Sequence, residues 1–123
     1  MAALAIKLED RGPILHRSRR VGVDETVFDC LKLRTMRVGG SGSDYTQPND
    51  SRITRIGGFL RASRIDEIPQ LWNVLVGDMS LIGPRPLLPH DQPDDPSTRL
   101  RIRPGITGWA QVNGGRSVSP ADK

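Results

Sequence analysis

Asp66 and Glu67 stand side by side in the stretch from Arg61 to Gln70, with Arg61 and Arg64 before them and Pro84-Arg85-Pro86 further on. Adjacent acids among bases suit chemistry on a metal-bound phosphate ester. One carboxylate attacks phosphorus while its neighbour binds a divalent cation, because hard cations such as Mg²⁺ take carboxylate and phosphate oxygens together. The cation and the arginines lower the repulsion between an anionic nucleophile and an anionic diphosphate. Arginine adds a planar fork for phosphate oxygens, and Arg61, Arg64 and Arg85 are the local candidates. The same pair has a purely structural use: Asp is a preferred helix N-cap and Glu suits a first helical turn.

The elements that would position these groups are helical. Ile68, Leu71, Trp72, Leu75 and Met79 recur on one helical face. Proline is tolerated only in a first turn, so Pro69 places the start of this helix at an Asp66 N-cap, with Glu67 first and Pro69 third. The free N–H groups of such a start would favour a bound anion. Gly77 is the expected stop. Upstream, Asp50 or Ser51 would cap a helix carrying Ile53, Ile56 and Leu60 as an apolar stripe. Its polar part is cationic, through Arg52, Arg55, Arg61 and Arg64. Such a helix packs on a core or lies on a membrane surface. Gly57-Gly58 weakens it and permits close backbone approach.

The remaining segments are short. Ala2 to Leu8 reads as a helix that stops before Gly12-Pro13. Residues 14–16 and 27–35 read as two strands of a hairpin, joined through Arg17, Arg19, Arg20 and a turn at residues 22–25. On the second strand Phe28, Cys30, Lys32 and Arg34 share a face, so Lys32 and Arg34 point the same way. Residues 37–50 form a glycine-rich polar loop without the pattern of a phosphate-cradling P-loop. Pro84-Arg85-Pro86 is extended and holds Arg85 in a fixed direction. His90 with Asp91, Asp94 and Asp95 reads as a solvated turn before it reads as a metal cluster. Leu100 and Ile102 alternate with Arg101 and Arg103 as a short strand, and residues 106–112 suggest another.

Composition narrows the partners. The chain has 123 residues, so it is at most one domain. Its net charge of +4 favours an anionic partner: nucleic acid, a phosphorylated substrate or an anionic membrane. The single cysteine, Cys30, forms no internal disulfide, which points to a reducing compartment. No stretch approaches the roughly 18 apolar residues of a spanning helix.

In order along the chain come Gly12-Pro13-Ile14, Arg20-Val21-Gly22, Lys32-Leu33-Arg34-Thr35-Met36, Thr54-Arg55-Ile56-Gly57, Phe59-Leu60-Arg61, Asp66 to Leu71, Asn73-Val74-Leu75, Gly77 to Pro86 and Arg103 to Gly114. With these motifs the chain resembles the bacterial sugar transferases, the monotopic phosphoglycosyl transferases. The resemblance implies an α+β fold of short, partly interfacial helices with a small antiparallel hairpin. It implies transfer of sugar-1-phosphate from a UDP-sugar to a polyprenyl phosphate carrier, initiating surface glycan synthesis through a covalent phosphosugar-aspartate. Asp66 and Glu67 are the implied catalytic and metal-binding pair, with Mg²⁺ as cofactor. Lys32, Arg61, Arg85 and Arg103 are the implied substrate-binding residues.

The implied setting is the cytoplasmic face of the bacterial inner membrane. Family members begin with a membrane-embedded helix, of which only Ala2 to Leu8 resembles the trailing end, and their sequence runs on past Asn113-Gly114. The turn carries Asp24-Glu25 where the family usually has Asn-Gly. One alternative is an inactive fragment of such an enzyme. Another is a basic nucleic-acid-binding module, but Trp72, Trp109, Tyr45, Phe28 and Phe59 are not interleaved with the basic positions.

Overall fold

In a computed structural model, residues 1–39, 46–47 and 49–113 are described. Half of the predicted glycine-rich loop, residues 40–45 and 48, lies outside them. The fold is α+β, and the chain divides into two compact units. The first comprises Met1–His16 and Lys32–Ile68, the second Arg17–Leu31 and Pro69–Lys123.

The first unit opens with helix α1, Ala2–Glu9, close to the predicted span. Its last residue caps another helix: the Glu9 carboxylate accepts the backbone N–H groups of Arg55 at 2.8 Å and Ile56 at 2.9 Å. These begin α2, Arg55–Ala62. The N-cap of α2 is Thr54, whose hydroxyl accepts the Gly57 N–H at 2.9 Å. The predicted cap Asp50 instead closes the preceding turn, accepting the Arg52 N–H and guanidinium. Thr54 also donates its N–H to the Thr35 carbonyl at 3.0 Å, and Met36 bridges Ile53. This seam explains Gly57: a Cβ there would sit 2.1 Å from the Thr35 carbonyl oxygen. Gly58 has nothing within 4 Å, so close approach applies to one glycine of the pair.

The predicted hairpin is present as β1, Leu15–Val21, and β2, Val27–Leu33. The first strand runs further than residues 14–16, taking in the arginines expected between the strands. Arg17 and Arg19 lie exposed on one face of the strand, Ser18 and Arg20 are half-buried on the other, and Val21 is buried at its end. At the turn Asp24 and Glu25 both have positive φ, 51° and 61°, the backbone that Asn-Gly adopts with less strain.

The second unit has its core in Phe28, Cys30 and Met79, with Val74 and Ile106 packed against it. Helix α3 is Gln70–Leu75, and it ends as expected, with Gly77 left-handed at φ 91°. Met79 leads into β3, Ser80–Ile82, which pairs in parallel with β4, Gly105–Thr107. That pairing is invisible to local patterning because each strand has three residues and the partners are far apart in sequence. The predicted strand at Leu100 and Ile102 is instead a 3₁₀ turn, Arg99–Arg101. The predicted strand over 106–112 divides into β4 and helix α4, Trp109–Val112.

Candidate active site

Helix α2 delivers the chain to the acid pair. After Ala62, Ser63 donates its hydroxyl to the carbonyls of Phe59 and Leu60, and Arg64 turns left-handed at φ 60°. A 3₁₀ turn, Ile65–Glu67, then carries both carboxylates. This corrects the expectation of a helix starting at Asp66. Arg64 precedes the turn, Pro69 is the N-cap of α3, and neither acid caps a helix. Left-handed backbone at a bulky residue costs about 1–2 kcal/mol, so surrounding contacts must hold Arg64 in place. One is its guanidinium, 3.7 Å from Glu67 Oε2.

Asp66 is 7% exposed, and its Oδ1 is buried with no hydrogen-bond partner among the described residues. A buried carboxylate oxygen without a donor is costly, so Oδ1 is an acceptor whose hydrogen bond is unfilled. Burial raises the Asp66 carboxyl above its ordinary value; Lys32 opposes this, Glu67 adds to it, and Arg61 opposes it. Glu67 is held by two cations: Lys32 Nζ donates to its Oε1 at 2.9 Å, and Arg64 lies at Oε2. The Arg61 guanidinium donates from Nε to Thr35 Oγ1 at 2.7 Å and from Nη1 to Thr46 Oγ1 at 3.1 Å. Asp66, Glu67, Lys32, Arg61 and Arg64 thus meet within the first unit. Lys32 arrives from the end of β2, across 35 residues of sequence.

Arg34, on the same strand face as Lys32, has a different task. It is buried and pairs with the Asp10 carboxylate at 3.3 Å, and its guanidinium also donates to the Asp10 carbonyl. That contact ties the end of β2 to the end of α1.

Arg85 and Arg103 belong to the second unit. The segment at Arg85 lies outside any helix or strand, and its carbonyls are engaged in succession. Arg85 accepts from the Arg99 guanidinium, Pro86 from Arg20 at 3.4 Å, and Leu87 from the Val21 N–H at 3.1 Å. Burial lowers the pKa of Arg99. Arg103 is exposed, and its carbonyl lies so close to Gly83 that a Cβ there would meet it at 2.4 Å. His90 and the nearby aspartates form no metal-binding group of three or more among the described residues. The two threonines that hold Arg61 escaped sequence reasoning. Thr35 is buried and Thr46 half-buried, which no helix or strand period announces.

Paired carboxylates, one with an oxygen left open, among three cationic side chains make an arrangement suited to phosphate esters. The chain belongs to the bacterial sugar transferase family, whose family model matches residues 1–123. It is 51% identical over 122 residues to a UDP-glucose:undecaprenyl-phosphate glucose-1-phosphate transferase of Caulobacter vibrioides, covering 93% of this chain and 46% of that protein. It is 45% identical over 128 residues to an undecaprenyl-phosphate glucose phosphotransferase of Komagataeibacter xylinus, covering 94% and 24%. A UDP-N-acetylgalactosamine-undecaprenyl-phosphate N-acetylgalactosaminephosphotransferase of Aeromonas hydrophila is 42% identical over 128 residues, covering 98% and 30%. The chain therefore spans between about a quarter and a half of these relatives' lengths.

Proposed function

We propose that this chain carries the catalytic centre of an enzyme that moves sugar-1-phosphate from a UDP-sugar to a polyprenyl phosphate, with Asp66 as covalent nucleophile. The observation that carries the reading is the open, buried Oδ1 of Asp66 beside Glu67 and within the influence of Lys32 and Arg61. The names of the relatives supply the donor and acceptor classes. In the first step an Asp66 carboxylate oxygen bonds to the sugar-linked phosphorus, the bond to the bridging oxygen breaks, and UMP leaves. In the second, an oxygen of polyprenyl phosphate attacks the same phosphorus. The aspartyl ester breaks, the carboxylate is restored, and a polyprenyl diphosphate-sugar is released. Splitting the transfer in this way is covalent catalysis with ping-pong kinetics.

Lys32 and Arg61 are assigned to phosphate oxygens. Asp66 and Glu67 are assigned to Mg²⁺, and the fit rests on the unpartnered Asp66 Oδ1 and the all-oxygen donor set. When bound, the ion neutralises phosphate charge. Glu67 keeps Lys32 and Arg64 gathered at the pair, which holds positive charge where the anionic donor must enter.

The enzyme is assigned to the cytoplasmic membrane face, where it starts surface glycan assembly. No helix among the described residues is long and apolar enough to cross a membrane. Leu71, Trp72 and Leu75 expose an apolar face of α3 suited to the membrane interface.

The test omits the lipid. Protein, Mg²⁺ and labelled UDP-sugar are incubated, and UMP and protein-bound label are followed. Stoichiometric UMP and a phosphosugar adduct on Asp66, both absent in Asp66→Asn, are expected. A folded protein that gives neither with any UDP-sugar rules the reading out.

A further inference from the structure

We propose that Thr35 is a positioning residue for this reaction: its hydroxyl fixes the direction of the Arg61 guanidinium. The inference rests on the function proposed above and names a residue to which that mechanism gives no part. Thr35 is 6% exposed and lies on the seam between the end of β2 and the start of α2. Its carbonyl accepts the Thr54 N–H, and Gly57 is packed against that carbonyl. The backbone of Thr35 is therefore set by α2 itself. Arg61 lies in the last turn of the same helix and donates Nε to the Thr35 hydroxyl at 2.7 Å.

Nε is the guanidinium donor nearest the flexible stem. Anchoring it arrests rotation of the planar fork, and the Nη1 contact with Thr46 acts in the same sense. The charge so oriented bears on Asp66. An arginine held in its working direction loses less side-chain freedom when phosphate arrives, so donor binding is tighter.

Thr35→Val keeps the shape and removes the hydroxyl; Thr35→Ser keeps the hydroxyl. Expected for Thr35→Val is a rise of about tenfold in KM for the UDP-sugar, the size of one lost hydrogen bond to a charged group, with kcat changed less. Thr35→Ser stays within about twofold of the unaltered protein by the same reasoning. In an Arg61→Met background, Thr35→Val adds nothing, since the group it orients is gone. Arg61→Lys, which leaves Thr35 packed and lacks Nε, raises KM in the same way. The Nε–H resonance of Arg61 reports on the contact without turnover and moves in Thr35→Val.

An unmoved Nε–H resonance overturns the inference whatever the activity. So does a fully additive double variant, or an Arg61→Lys protein with unaltered KM. Absence of UMP from the unaltered protein is a different result: it removes the proposed reaction and leaves the resonance to decide on the contact.

Discussion

Helices α2 and α3 flank the acid pair in sequence and are built on opposite plans. In α2 the conventional rule holds. Leu60 is buried, Gly57 meets the neighbouring backbone, and Phe59 is the large apolar residue left outside. In α3 the rule is inverted. Gln70 and Asn73 are 3% and 2% exposed, whereas Leu71, Trp72 and Leu75 are 48%, 59% and 79% exposed. Asn73 explains the inward polar face, because its amide behaves as a short stretch of strand. Its Oδ1 accepts the Leu31 N–H at 3.0 Å, and its Nδ2 donates to the Asp29 carbonyl at 2.8 Å. It thereby satisfies backbone groups of β2 that have no further strand to pair with. The lesson is that an apolar stripe reveals a helix without revealing which medium the stripe faces. Within a soluble core the inversion would be costly; at an interface with lipid it is a sensible arrangement.

Four sets of variants test this contrast. The largest effect is expected at the α2 seam. Gly57→Ala forces a methyl group onto the Thr35 carbonyl and should cost about 3 kcal/mol or more in urea unfolding. Gly58→Ala, in open space, should gain about 0.5–1 kcal/mol from helix propensity. Equal costs at the two glycines would dissolve the distinction. Next comes the inward face of α3: Asn73→Leu strands two backbone groups and should cost about 2–3 kcal/mol. Trp72→Gln on the outward face should change stability by less than about 0.5 kcal/mol while weakening sedimentation with anionic vesicles. A large stability loss at Trp72 would show that its face is covered by protein.

The third expectation concerns protons at the turn that follows α2. The proposed chemistry needs the Asp66 carboxylate, and burial raises its pKa, so the acid limb of UMP release should lie above the ordinary value of 3.8. Glu67→Gln removes a like charge and should move that limb down. Lys32→Met removes a compensating cation and should move it up. Stability has its own sign. The folded protein holds the Asp66 proton more tightly than the unfolded chain does. That contribution is complete below the unfolded pKa and is lost as pH rises through the folded one. Asp66→Asn should therefore be inactive yet more stable near neutral pH, and thermal melts at two pH values check both signs. A smaller loss than at Gly57 or Asn73 is expected at the caps. Thr54→Ala should cost about 1 kcal/mol of α2. Pro69 gives α3 no side-chain cap, so nothing comparable is available to lose there.

Much of the site was legible because chemistry constrains residue types locally. Asp66-Glu67 amid arginines needs no tertiary information to be suspect, and Lys32 was placed on a strand face by alternation alone. The helix start was misjudged for an identifiable reason: capping rules assume one helix, and the left-handed Arg64 inserts a 3₁₀ turn before Pro69. Arg34 was grouped with Lys32 by alternation, but Asp10, 24 residues away, claims it. Propensity alone did not separate a strand from a 3₁₀ turn at Leu100 and Ile102.

What the sequence determined by itself was the acid pair with its neighbouring cations, the two helices around them and the hairpin, because these depend on spacings of a few residues. Only the tertiary structure decided which carboxylate oxygen is left unpartnered, which cations reach Glu67, and that α3 turns Leu71, Trp72 and Leu75 outward. Those outcomes depend on contacts between distant segments, where burial and hydrogen-bond satisfaction outweigh local preference.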